Sequence, residues 1–243
     1  MADGHLLIGI VSMQLFITKE YTILNKTLEI TDPRVFYQCT KVLRYRKGDR
    51  ITLQHETNRY VCTIILMNKK SLTTTIETID HKPEKQSAQS SLVVAMVNKW
   101  DKLELIVQKC AELWVHEVGI RKSKRSVISI FSDNKIQRLR MIMLEAAEQS
   151  RNRTIPSIKI YNAIDELDSR SYVAYQYADT SFQALAMLLP GQDKRSIIIG
   201  PEWWFDPEEI LYFQQNYFSF FSLWATILRT ETAAILSARV CTQ

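Results

Sequence analysis

Glycine is scarce in this chain: 6 residues of 243, about 2.5%, against roughly 7% in average usage. No glycine-rich phosphate loop is present, and no Ser-His-Asp arrangement offers a competing active site. Cys39, Cys62, Cys110 and Cys241 are scattered, without a CxxC pair, and His5, His55, His81 and His116 have no ligand spacing. These absences exclude the common metal centres and disulfide frameworks, and they suit a reducing cytoplasm. No apolar run approaches the ~20 residues that span a bilayer, so no membrane segment is expected. Residues 5–11 are apolar, but no basic residue precedes them and no small-residue cleavage site follows, so a signal peptide is not expected either.

Hydrophobic content of 46% and charged content of 23% place the chain with globular proteins, and 243 residues suit one large domain or two small ones. The net charge of +5 is unevenly placed. Residues 13–90 hold 13 Lys/Arg against 8 Asp/Glu, whereas residues 91–243 hold 18 against 17. Lys41, Arg44, Arg46, Lys47 and Arg50 put five of those cations in ten residues. Such a cluster is either a solvated face or a phosphate-contacting surface, and the asymmetry favours the second.

Between residues 14 and 79 the pattern is mainly period-two. Strands are expected at 14–17, 50–54, 60–65 and 72–76, with a short helix over 34–43; short strands at this spacing suggest a small barrel. Residues 83–90 are polar and without periodicity, and read as a linker. Beyond them, strands are expected at 91–96, 115–120, 127–131, 158–160, 172–175 and 197–199. Helices are expected at 101–113, 135–150, 163–167 and 182–188, with a basic loop over 121–125. Strand–helix alternation means a mainly parallel sheet covered on both faces.

The stretch at 197–205, IIIGPEWWF, organises this second part. Three β-branched residues run into Gly200-Pro201, which ends the strand. Asp206, Pro207 and Glu209 then supply a cap, a first helical residue and a capping box. Residues 223–236, LWATILRTETAAIL, repeat the plan: an apolar run read as a strand, Thr230-Glu231-Thr232 as cap residues, then a helix. Two loops thus fall at the carboxyl ends of strands, where open α/β sheets bind ligands.

GPE before an aromatic and an acidic helix start, followed by LRTETA, resembles the 16S rRNA uracil-N3 methyltransferases (the RsmE family) of the SPOUT superfamily. Upstream blocks agree in order: Lys41-Val42-Leu43-Arg44 with Lys47-Gly48-Asp49, Gln108 to Leu113, Arg125-Ser126-Val127, and Glu145 to Ser150. The resemblance covers residue 13 to the C-terminus, so residues 1–12 read as an extension or as the product of a misplaced start codon. It implies a PUA-like RNA-binding β-barrel over 13–82, and an α/β SPOUT domain over 91–243 with a deep trefoil knot. It further implies S-adenosylmethionine (SAM) as cofactor, 16S rRNA in the small ribosomal subunit as partner, and a homodimer through the C-terminal domain. The aromatic cluster over 212–223 is the surface expected to be covered there. Carried over by position, Leu189, Ile199, Gly200, Pro201, Glu202, Trp203, Leu223, Trp224, Ile227 and Leu228 hold the cofactor. Arg229 stabilises charge developing on the uracil, or else pairs with Glu202 or Glu231. Lys41, Arg44, Arg46, Lys47, Arg125, Arg151 and Arg153 contact RNA. The family arginine slot falls on Asn152, so Arg151 and Arg153 remain alternatives.

All five tryptophans, Trp100, Trp114, Trp203, Trp204 and Trp224, fall where the resembled family most often has glycine. One reading is a degenerate relative that binds RNA but whose cofactor pocket is blocked. Another is a codon, UGA, written as Trp where the cell inserts Gly. A third possibility is a SPOUT enzyme acting on a different RNA.

Overall fold

The period-two segments at the start of the chain assemble a six-stranded sheet. The structure is a computed structural model and describes residues 14–81, 89–123, 132–202, 204–223 and 226–242, which fall in two compact units, residues 1–85 and 86–243. In the first unit the strands are β1 (Leu15–Ile17), β2 (Tyr21–Leu24), β3 (Thr27–Ile30), β4 (Arg50–His55), β5 (Asn58–Met67) and β6 (Leu72–His81). Their order is β1-β4-β5-β6-β3-β2, parallel only at β1/β4. Alternate residues point inward, so Phe16, Leu28, Ile30, Ile51, Leu53, Cys62, Ile64 and Leu72 are buried around Val35 and Cys39. The expected helix over 34–43 is two pieces. Helix α1 (Pro33–Tyr37) opens on Pro33, with the Asp32 carboxylate accepting from Arg34 N (2.8 Å) and Val35 N (3.3 Å). A π-helical turn, Gln38–Val42, continues it.

In the second unit, β7 (Gln89–Ala95), β8 (Glu117–Arg121), β9 (Ser157–Tyr161), β10 (Tyr172–Ala174), β11 (Lys194–Ile199) and β12 (Ser219–Phe221) form one sheet in the order β12-β10-β11-β7-β8-β9, every pair parallel. Between them run α2 (Trp100–Glu112), α3 (Asp133–Ser150), α4 (Phe182–Leu188) and α5 (Pro207–Gln215), and α6 (Thr230–Cys241) closes the chain. Their residues sort by period two. Leu92, Val94, Ile197 and Ile199 pack with Leu103, Ile106, Leu139, Met143, Leu185, Ala234 and Ala238 of α2, α3, α4 and α6. Val93 and Ile198 face the other way, onto Phe205, Phe213 of α5 and Phe218. With both faces covered, the strands need no polar side, which is why they read as continuous apolar runs. Each such Val, Leu or Ile contributes about 1.5–3 kcal/mol of burial. Gly119 is needed in β8, because a Cβ there would lie 2.7 Å from the Tyr161 ring and 2.9 Å from Val93.

Several expectations fail in this unit. Leu223 and residues 226–228 are irregular backbone, and the strand that precedes α6 is instead Ser219–Phe221, paired with β10. The cap of α6 is Arg229, without a side-chain hydrogen bond; Thr230 is already helical. Arg121 belongs to β8 and is buried, not part of a basic surface loop. The aromatic cluster over 212–223 is largely core, since Phe213, Phe218 and Phe221 are buried and Tyr217 is exposed. Residues 89–90, expected in the linker, pair with β11. The strand expected at 127–131 lies outside the described residues.

Candidate active site

All strands of the second sheet point the same way, so the loops after β10, β11 and β12 gather at one edge. The chain leaves β7 towards β8 and leaves β11 towards β12, which makes β7/β11 the point where strand order reverses and where such sheets form clefts. Beside it lies a cavity of about 110 Å³, lined by Ala174, Tyr175 and Gln176 after β10, Ile199 to Pro201 with Trp204 and Phe205 after β11, and Leu223, Thr226 to Leu228, Thr230 and Ala233 after β12. Gly200 fits because its Cα faces the Phe205 ring; a Cβ there would stand 3.1 Å from it.

Of the residues expected to hold the cofactor, Ile199, Gly200, Pro201, Leu223, Ile227 and Leu228 line this cavity. Leu189 does not: it is fully buried in the core. Glu202 does not either, because Lys102 Nζ donates to it at 2.7 Å and Asn98 N at 3.1 Å. Trp203 and Trp224 lie outside the described residues. Sequence reasoning missed Ala174, Tyr175 and Gln176, for which no motif gives a signal, and Phe205, whose place after Trp204 was the available hint.

Lys102, from the first turn of α2, also lies 3.8 Å from Glu231 in the first turn of α6. Its ammonium is pushed above the ordinary lysine value, chiefly by the hydrogen bond to Glu202. Arg229 is exposed and forms no ion pair among the described residues, so the expected pairing with Glu202 or Glu231 is taken by Lys102. A second network lies beneath the loop after β11. Arg121 Nη1 donates to Glu209 at 2.6 Å, and the same carboxylate accepts from Ser123 Oγ (3.1 and 3.2 Å) and from Asp206 N (2.9 Å), completing the capping box of α5. The Arg121 guanidinium carbon is 5.9 Å from the centre of the Phe205 ring.

In the first unit, Lys41, Arg44, Arg46, Lys47 and Arg50 are all exposed, and Arg50 pairs with Glu77. In the second, Arg151 and Arg153 are half-buried beyond α3. Asn152 between them is structural: buried, it donates to Ala111 O at 3.1 Å and accepts from Thr154 N at 3.1 Å. Arg125 lies outside the described residues. Among the described residues no group of three or more His, Cys, Asp or Glu could hold a metal ion, and no helix is long and apolar enough to cross a membrane.

A wholly parallel, two-faced sheet with a cavity at its carboxyl edge defines an α/β ligand-binding domain. The model of the RNA methyltransferase domain family matches residues 84–242, and the chain belongs to that family. Among curated relatives, the ribosomal RNA small subunit methyltransferase E 2 of Borreliella burgdorferi is 28% identical over 238 residues, covering 93% of this chain and 95% of the relative. The ribosomal RNA small subunit methyltransferase E of Bacillus subtilis is 27% identical, over 90% and 91%. Among solved structures, the corresponding Neisseria gonorrhoeae enzyme bound to S-adenosyl methionine superposes with a TM-score of 0.79 at 21% identity, covering 93% of this chain and 95% of that one.

The cavity walls suit that cofactor in kind, with apolar and aromatic side chains against a purine and loop backbone groups for its polar edge. In room they do not. Small-molecule sites run to roughly 300–1,000 Å³, and this cavity, with Trp204 on its wall, offers about 110 Å³.

Proposed function

We propose that this chain is a SAM-dependent methyltransferase that methylates N3 of a uridine in 16S rRNA of the small ribosomal subunit. The observation that carries the reading is the match to the RNA methyltransferase domain family over residues 84–242, with the loops after β10, β11 and β12 meeting at the carboxyl edge of the sheet. Two relatives named for small-subunit RNA methylation and aligned over at least nine-tenths of their length favour the ribosomal target. On this reading the N-terminal sheet closes as a PUA-like barrel, the C-terminal loops carry a deep trefoil knot, and two copies associate through their C-terminal domains in the cytoplasm.

SAM, when bound, supplies an activated methyl group. The remaining work belongs to the protein: aligning uracil N3 and stabilising negative charge on the ring. Arg229, exposed beside the cavity and free of carboxylate partners among the described residues, is placed for the second task. Ile199 to Pro201, Leu223, Ile227 and Leu228 hold the cofactor; Lys41, Arg44, Arg46 and Lys47 hold RNA phosphates, with Arg151 or Arg153 nearer the target. A base inside folded RNA is exposed or flipped before N3 is reached.

The test is transfer of labelled methyl from SAM to small subunits lacking the modification, with the modified position read by primer extension. Label at a 16S uridine N3 supports the reading; label on another RNA moves the substrate; no label and no SAM binding favour the second reading. That reading, an RNA-binding protein with a blocked pocket, draws on the small cavity and on Trp204.

A further inference from the structure

Two of the three tryptophans among the described residues have positive φ: Trp114 at +67° and Trp204 at +65°. Only a few per cent of non-glycine residues do so, and for a bulky side chain it is an outlier. Five other non-glycine residues share the feature, among them Asn25, a residue type suited to it, so positive φ alone does not single out tryptophan. The hydrogen bonds show what kind of position 114 is, one also held by Arg151 after α3 and Tyr217 after α5, whereas 204 is set apart by its place on the cavity wall. Leu113 is the C-cap of α2, Trp114 N donates to Ala111 O (3.3 Å) and Val115 N donates to Cys110 O (3.0 Å). That pair of bonds is the Schellman motif, and Trp114 holds its left-handed position, the one glycine most often takes. At 204 the backbone turns back so that Trp204 N donates to Pro201 O (3.1 Å), again in the left-handed region.

Neither indole compensates by packing inside. Trp114 is 52% and Trp204 47% exposed, whereas a large aromatic ordinarily contributes through burial. Trp204 makes an edge contact with Tyr177, itself 69% exposed, and lines the undersized cavity. The chain as a whole is short of glycine. Trp100, the first residue of α2, carries no such backbone signature and packs against the core.

We propose that glycine stands at positions 114 and 204 in the protein as its own cell makes it, the written tryptophans being UGA codons that the cell reads as glycine. Glycine at 114 takes the left-handed cap without a Cβ conflict, and glycine at 204 removes the indole from the cavity wall. The same codon accounts for Trp203 and Trp224, and at 204 it restores backbone access to the cofactor. This last consequence rests on the cofactor reading above, whereas the residue identity does not.

The test is peptide mass spectrometry of the protein isolated from its source cells, across residues 110–122 and 196–229, with the gene's codons read alongside. Glycine masses at 114 and 204, with UGA at both, are expected. Tryptophan masses, or UGG codons, overturn the proposal. SAM titrated calorimetrically into the written chain and into a variant with Trp→Gly at 114, 203, 204 and 224 separates the two ideas. Binding gained by the variant supports both. Glycine in the native peptides without binding by the variant upholds the codon proposal and sinks the cofactor reading.

Discussion

Removing the Glu209 carboxylate should destabilise the second unit more than any surface change. Arg121 is 2% exposed, and its Nε and Nη2 find no acceptor among the described residues, so Glu209 is the one carboxylate that neutralises it there. Breaking one partner of a buried pair costs about 3–5 kcal/mol, because the remaining charge stays out of water. Glu209→Ala also opens the capping box of α5, at about 0.5–2 kcal/mol. Glu209→Gln keeps the volume and an acceptor, so it should cost less than Glu209→Ala and still more than about 1 kcal/mol. In a domain of this size each kcal/mol moves Tm by roughly 2–4 °C, so Glu209→Ala should melt at least ~6 °C lower by calorimetry. The double variant Arg121→Met/Glu209→Met, which removes both charges, should recover most of the loss. If Glu209→Gln lies within about 1 kcal/mol of the parent, or the double variant is as unstable as Glu209→Ala, the pair is not the buried, charge-compensated link described.

Replacing Lys41, Arg44, Arg46 and Lys47 by Ala should weaken binding to 16S rRNA and flatten its salt dependence while leaving SAM affinity unchanged; an equal fall in both would refute the separate roles. Asp168 is hydrogen-bonded by Arg170 and Lys194, which hold its carboxyl well below the usual range. A depressed carboxyl contributes stability above its unfolded pKa of about 3.9 and loses it as pH falls towards the folded value, so Asp168→Asn should flatten the acid limb of a Tm-against-pH curve below about pH 4 and leave its shape at neutral pH unchanged. Light scattering should find a dimer at micromolar concentration; a monomer would refute the proposed association.

What was legible in the sequence is what local chemistry decides. The α5 start was, because Asp206, Pro207 and Glu209 each act within one turn. The continuous apolar strands were, because a sheet covered on both faces leaves no polar residue to interrupt them. The β2/β3 hairpin was not: Tyr21–Leu24 is mostly exposed, so burial imposes no alternation on it, and Asn25 at φ +56° makes the turn without glycine. Leu223 and residues 226–228 mislead because Leu223, Ile227 and Leu228 line a cavity from loop backbone, while the edge strand is the shorter Ser219–Phe221. Tyr175 and Gln176 reach the site only through the parallel pairing of Val173 with Ile198, a long-range fact without a local signal. Arg121 read as surface charge because its partner lies 88 residues away.

That distance matters most at Lys102, whose side chain joins the loop after β11, through Glu202, to the first turn of α6, through Glu231. Its raised pKa means that the bridge is complete below the unfolded lysine value and is lost only as pH rises through the still higher folded one, so it is intact throughout the neutral range. The Lys102 side chain is partly buried but still reached by solvent, so deleting it should cost about 1 kcal/mol of stability. The effect on catalysis should be larger. Without the ammonium, Glu202 and Glu231 lose the cation they share, and Arg229, whose charge opposes that of Lys102, is a cation available to them. Once paired with them, Arg229 would leave the place beside the uracil proposed for it above. Lys102→Met should therefore slow single-turnover methyl transfer as Arg229→Ala does, with SAM affinity within a few-fold in both, as expected of a group acting on the transition state. Lys102→Arg, which keeps the charge, should restore the rate. A Lys102→Met protein with the parental rate would show that Arg229 does not depend on this bridge for its place.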